Sequence, residues 1–95
     1  MVTESLIRQL VEARLRARQY DKVAELAARV IGDDTGQQEN VGPPIRDEAQ
    51  RLFDARQYQD VIALANEVGK MKPELAPRYR QPIDLYRQRA QEQQQ

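Results

Sequence analysis

Residues 17–31 read ARQYDKVAELAARVI and residues 55–69 read ARQYQDVIALANEVG, and at an offset of 38 eight of these fifteen positions are identical. The identities are Ala17/Ala55, Arg18/Arg56, Gln19/Gln57, Tyr20/Tyr58, Val23/Val61, Leu26/Leu64, Ala27/Ala65 and Val30/Val68. Chance is a poor account of that match, so the chain is read as a repeat before anything else. The shared apolar positions recur at steps of three and four, which is the spacing of one face of an α-helix.

Each copy is preceded by a second helical segment. Residues 3–18 place Leu6, Ile7, Leu10, Val11, Leu15 and Ala17 on a 3.6-residue period, with Thr3 available as N-cap. Residues 45–56 place Ile45, Ala49, Leu52 and Phe53 likewise, entered through Pro43 and Pro44, whose missing N–H costs nothing at a helix start. Each unit is therefore helix, tight Arg-Gln-Tyr turn, helix, and so short a connection makes the two helices antiparallel. The expected fold is all-α: units over 3–32 and 45–72, a linker over 33–44, a capping helix over about 74–90 and a disordered Gln-rich tail over 91–95.

The linker region IGDDTGQQENVGPP, residues 31–44, holds three of the four Gly, Pro43 and Pro44, and a local charge of −3 from Asp33, Asp34 and Glu39. It reads as a loop, with Gly32 closing the second helix. Beyond Pro73, Leu75, Tyr79, Ile83, Tyr86 and Ala90 form one helical stripe, but Pro82 would remove an interior hydrogen bond. The expectation is a fifth helix that kinks near Pro82 or starts there, with Pro77 opening a short first turn. Tyr20 and Tyr58 are expected in the core.

Composition narrows the chemistry. The 95 residues include no Cys, His or Trp, one Ser, and equal numbers of acidic and basic side chains, 15 each. A disulfide framework, a thiolate nucleophile and a Ser-His-Asp relay are all excluded, and the usual zinc and haem ligands are missing. The adjacent carboxylates Asp33-Asp34 and Asp47-Glu48 lack the contrasting environments that paired acid–base catalysis requires. No cofactor or metal is expected, and the chain reads as non-enzymatic. There is no apolar run of membrane-spanning length and no secretory leader pattern, and the absence of Cys fits a reducing cytoplasm. Neutral net charge and the lack of a basic run make nucleic acid a poor partner. Locally the charge is uneven: +2 before the linker, 0 in the second unit and +1 after it.

The hairpin with its aromatic after the turn, its small residues and its closing Pro resembles the tetratricopeptide repeat, a 34-residue helix-turn-helix unit. Tyr58, Val61, Ala65, Val68 and Pro73 fall on that pattern in the second copy, and Tyr20, Val23, Ala27 and Val30 in the first. The glycine usual in the turn is here Arg18 and Arg56. The resemblance implies a right-handed superhelical array that holds other proteins, usually through a concave groove lined by the first helix of each pair. Carried over, the lining positions are Ser5, Arg8, Glu12, Leu15 and Arg16 from the first unit, and Arg46, Gln50, Phe53 and Asp54 from the second.

Ile7-Arg8, Ile45-Arg46 and Tyr79-Arg80 are successive apolar-Arg pairs, which puts Arg80 in phase with the groove and the fifth helix at the start of an incomplete third unit. Three Arg in a row beside Leu15 and Phe53 would suit a peptide with carboxylates and apolar anchors. The plainer reading is that they pair with Glu4, Glu12 or Asp84 on solvated helix faces. The function expected is a small adaptor or chaperone-like module that binds a segment of a partner protein. The alternative is a structural subunit that oligomerises through leftover apolar helix faces.

Overall fold

The computed structural model describes the backbone of residues 2–94 and the side chains of residues 6–94. The expectations placed on Thr3, Glu4 and Ser5 fall outside the described side chains. Five α-helices follow one another, α1 (Val2–Arg16), α2 (Tyr20–Asp33), α3 (Gln38–Asp54), α4 (Tyr58–Lys70) and α5 (Pro77–Gln93), with one 3-10 turn at Thr35–Gln37. There is no strand among the described residues.

Three residues join α1 to α2 and three join α3 to α4, and both turns are built the same way. The Gln19 N–H donates to the Arg14 carbonyl (3.0 Å) and the Arg18 N–H to that of Leu15 (3.1 Å). In the second turn Gln57 donates to Leu52 and Arg56 to Phe53, each at 2.9 Å. This is the Schellman closure, which satisfies the last carbonyls of a helix by turning the chain through a left-handed residue. That residue is Arg18 at φ 60° and Arg56 at φ 62°.

The helices lie in two layers. α3 packs between α1 and α5 in one layer, α2 packs on α4 in the other, and α4 also covers α5. The body measures 43 × 22 × 19 Å. Its core runs between the layers: Val11 and Leu15 of α1, Tyr20, Val23, Ala27 and Ile31 of α2, Val41, Ile45, Ala49 and Leu52 of α3, Val61, Leu64 and Val68 of α4, Tyr79, Ile83 and Ala90 of α5. Tyr20 is buried as expected, whereas Tyr58 is half-buried and set edge-on to Phe53.

The linker differs most from the expectation. α2 runs through Gly32 to Asp33, and α3 starts at Gln38, seven residues before Ile45 and ahead of both prolines. The loop shrinks to Asp34 and the 3-10 turn, where the Asp34 carboxylate accepts from the Gly36 N–H at 2.9 Å. Pro43 and Pro44 stand in the second turn of α3, so only the Glu39 and Asn40 carbonyls lose intrahelical donors. The first turn is held instead by α5 and the segment before it. Gln38 Oε1 accepts from the Ala76 N–H (2.8 Å), Gln38 Nε2 donates to the Glu74 carbonyl (3.1 Å), and the Glu39 carboxylate accepts from both Tyr79 Oη and Arg78. Those two donors, Tyr79 first, hold the Glu39 carboxyl below its ordinary range.

α5 also corrects the sequence reading. Pro77 is its first residue and the helix continues through Pro82, which deprives only Arg78 of an intrahelical donor. Leu75 is buried but lies before the helix, in the connection with Met71. Residues 91–93 of the Gln-rich end are helical, and Ala90 just before them is buried.

Candidate functional site

α1 and α3 pack side by side, and a groove of about 540 Å³ lies along their seam. On the α1 side it is lined by Arg8, Glu12, Leu15 and Arg16, a stripe at steps of four, three and one. On the α3 side it is lined by Pro44, Asp47, Glu48, Arg51 and Leu52, and its end is closed by Arg18, Tyr20 and Gln57. Leu15 is only 3% exposed, so it forms floor rather than wall.

The charges in the groove are mostly fixed in pairs. Arg51 meets the Glu48 carboxylate with two parallel hydrogen bonds of 2.7 Å, and the Glu48 side chain is only 11% exposed. That bidentate contact raises the Arg51 guanidinium further above its ordinary pKa. Arg8 and Glu12 approach to 3.8 Å, one helical turn apart, and Arg18 reaches Asp60 of α4 at 3.7 Å. Arg16, exposed at the rim, has no ion-pair or hydrogen-bond partner among the described residues.

Tyr20 is the unusual member. It is 6% exposed, and its buried Oη has no hydrogen-bond partner. Burial first, then the Asp60 and Glu48 carboxylates, push its pKa up to about 12, so the hydroxyl is a committed donor.

The residues expected to line one groove divide between two seams. Arg8, Glu12, Leu15 and Arg16 come together between α1 and α3. On α3, Arg46 and Phe53 instead face α5. The Arg46 guanidinium sits 5.5 Å from the centre of the Tyr79 ring and 3.4 Å from Asp47, and Phe53 is half-buried with ring centres 5.5 Å from both Tyr58 and Tyr86. Gln50 is exposed outside the groove, and Arg80 on α5 is paired with Glu74 and, at 3.6 Å, with Asp84. Arg8 and Arg80 each meet a carboxylate at helical spacing, Glu12 and Asp84, whereas Arg46 meets only the adjacent Asp47.

A helix in the middle of a layer has two neighbours. Positions equivalent to Arg8 and Leu15 on α3 face onward to α5, while the residues facing back to α1 are Pro44, Asp47, Glu48, Arg51 and Leu52. Matching the copies position by position missed that second face. Its three-to-four spacing was available in the sequence. Among the described residues no three acidic side chains converge as a metal site, and no helix is long and apolar enough to cross a membrane. No protein-family model, no curated protein and no solved structure matches this chain.

Proposed function

We propose that the chain is a non-enzymatic protein–protein interaction module, an adaptor or chaperone-like unit of tetratricopeptide-like build, which holds a segment of a partner protein in the groove between α1 and α3. The observation that carries the reading is the groove's composition: an apolar floor at Leu15 and Leu52, the unpartnered Arg16, and the buried, unpartnered Tyr20 hydroxyl. That hydroxyl is closed off from solvent in the unbound chain, so a carbonyl of a bound segment would relieve its isolation, which costs about 1–3 kcal/mol, only by opening the Tyr20 end of the groove. The tetratricopeptide-like build is supported by the repeat at offset 38, the two equivalent left-handed turns and the alternation of helices between two layers.

The test is affinity capture on the full chain, with partners identified by mass spectrometry, repeated with Arg16→Ala and Tyr20→Phe. Both variants are expected to keep their helical content and lose the captured segment; retention of the same partners by both variants would remove the groove as the site. Self-assembly draws on the exposed Leu6 and Leu10, and the basic rim around them weighs against it.

A further inference from the structure

The two ends of the array differ. At the C-terminal end, α5 turns outward a shallow surface of Gln81, Asp84, Leu85, Arg87, Gln88 and Gln91, with one exposed leucine among polar groups. Such a polar outer face is what the terminal element of a helical array needs in water. Among the described residues the N-terminal end has no equivalent. There Leu6 and Leu10 of α1 are 53% and 47% exposed, and Ala13 and Ala17 continue the same face at helical spacing, also exposed. α1 thus carries two apolar faces, one of them packed on α2 and α3 through Val11 and Leu15 and the other covered by no described residue.

The rim of the uncovered face is basic. One turn beyond Leu10, Arg14 borders a hollow of about 200 Å³ with Lys22, Glu25, Leu26 and Arg29 of α2. Glu25 and Arg29 pair at 3.5 Å, which leaves two cations, Arg14 and Lys22, with no ion-pair partner among the described residues. The Arg14 Nε is itself buried without an acceptor. That nitrogen is closed off from a partner, so a carboxylate on a docked segment would meet the rest of the guanidinium and the Lys22 ammonium.

We propose that the end face of α1 and α2 is a docking site for an amphipathic helix of another protein, with apolar residues at i, i+4 and i+7 and Glu or Asp along the flank that meets Arg14 and Lys22. A second copy of this chain fits less well. Apposing two such faces with the α1 helices antiparallel sets the Arg14 and Lys22 flanks of both copies on one side, with the helices parallel those cations meet no carboxylate flank on α1, and a head-to-tail contact lays Leu6 and Leu10 on the glutamine face of α5. This site is separate from the α1/α3 groove.

The probes are two synthetic peptides of about 18 residues, long enough to be helical, with leucines at that spacing and flanks of either Glu or Lys. Fluorescence anisotropy of each labelled peptide is measured against the full chain. The Glu-flanked peptide is expected to bind about tenfold more tightly than the Lys-flanked one. The double variant Leu6→Gln/Leu10→Gln should weaken it about tenfold or more without lowering the melting temperature, Lys22→Glu should narrow or reverse the preference, and Arg16→Ala should leave it unchanged. Equal affinity of the two peptides, no binding of either, or loss with Arg16→Ala but not with the leucine variant would overturn the proposal. So would a dimer at micromolar concentration that the leucine variant dissociates, since the occupant would then be a second copy.

Discussion

Arg18 and Arg56 hold the two turns in a conformation that costs an L-residue roughly 1–2 kcal/mol relative to glycine. Replacing either with Gly removes that strain but loosens the unfolded chain by about 0.4–1 kcal/mol, so the net gain is smaller. Arg56→Gly is expected to stabilise by about 0.5–1 kcal/mol in urea titrations, and Arg18→Gly by less, because Arg18 also faces Asp60 at 3.7 Å. A loss of stability in Arg56→Gly would mean that its side chain contributes more than the backbone strain costs. Tyr20 supplies a second test at this scale. Its folded pKa of about 12 lies above the ordinary 10.0, so the unfolded chain loses the proton first as pH rises. Stability is unaffected by this group below pH about 10 and falls through the window up to about 12, approaching tenfold in the folding constant per pH unit. Tyr20→Phe should remove that part of the alkaline loss, as read from melts at stepped pH.

At the scale of the element, α3 is the helix whose true extent the sequence concealed. Gly36, Gly42, Pro43 and Pro44 are loop-forming residues by local preference, and residues 33–44 read as linker on that ground. What makes residues 38–44 helical is their contact with residues about 36–40 positions later: Gln38 with Glu74 and Ala76, Glu39 with Arg78 and Tyr79. Pairings that distant leave no periodic trace, whereas the helices carrying the repeat were legible from their own spacing. Gly42 belongs to the same contact. A Cβ there would lie 2.3 Å from the Tyr79 ring, so the absent side chain is what lets α3 and α5 approach. Gly→Ala inside a helix ordinarily stabilises by about 0.5–1 kcal/mol. Here Gly42→Ala is expected to destabilise by about 1–3 kcal/mol, because the buried Tyr79 ring must shift and strain its hydrogen bond to Glu39. A neutral or raised melting temperature would show that the α3/α5 seam can open without loss.

Across the whole molecule, the repeat accounts for the two equivalent turns and for α2 and α4 after them, and a fifth helix packs on both α3 and α4. The sequence placed α5 as a cap, and of the stripe Leu75, Tyr79, Ile83, Tyr86 and Ala90 the last four lie on its packed side, while Leu75 precedes the helix. It did not reveal that α5 contacts both layers, α3 in one and α4 in the other, while its connection ties down the start of α3. The same limit applied to the groove, whose α1 wall was legible and whose α3 wall depends on which neighbour each face of α3 meets. Leu75, Tyr79, Ile83 and Ala90 are all buried on this last segment. Burying the three larger ones contributes about 1.5–3 kcal/mol each, against a total of about 5–15 kcal/mol for a typical domain. A chain ending at Lys72 would lose that burial and uncover the faces of α3 and α4 on which α5 packs. It is therefore expected to lose the cooperative unfolding transition of the full chain, with a shallow, denaturant-insensitive loss of helix by circular dichroism. A sharp transition in the 1–72 chain, with a slope reduced only in proportion to its length, would show instead that the two hairpins fold as an independent unit and that α5 merely docks on them.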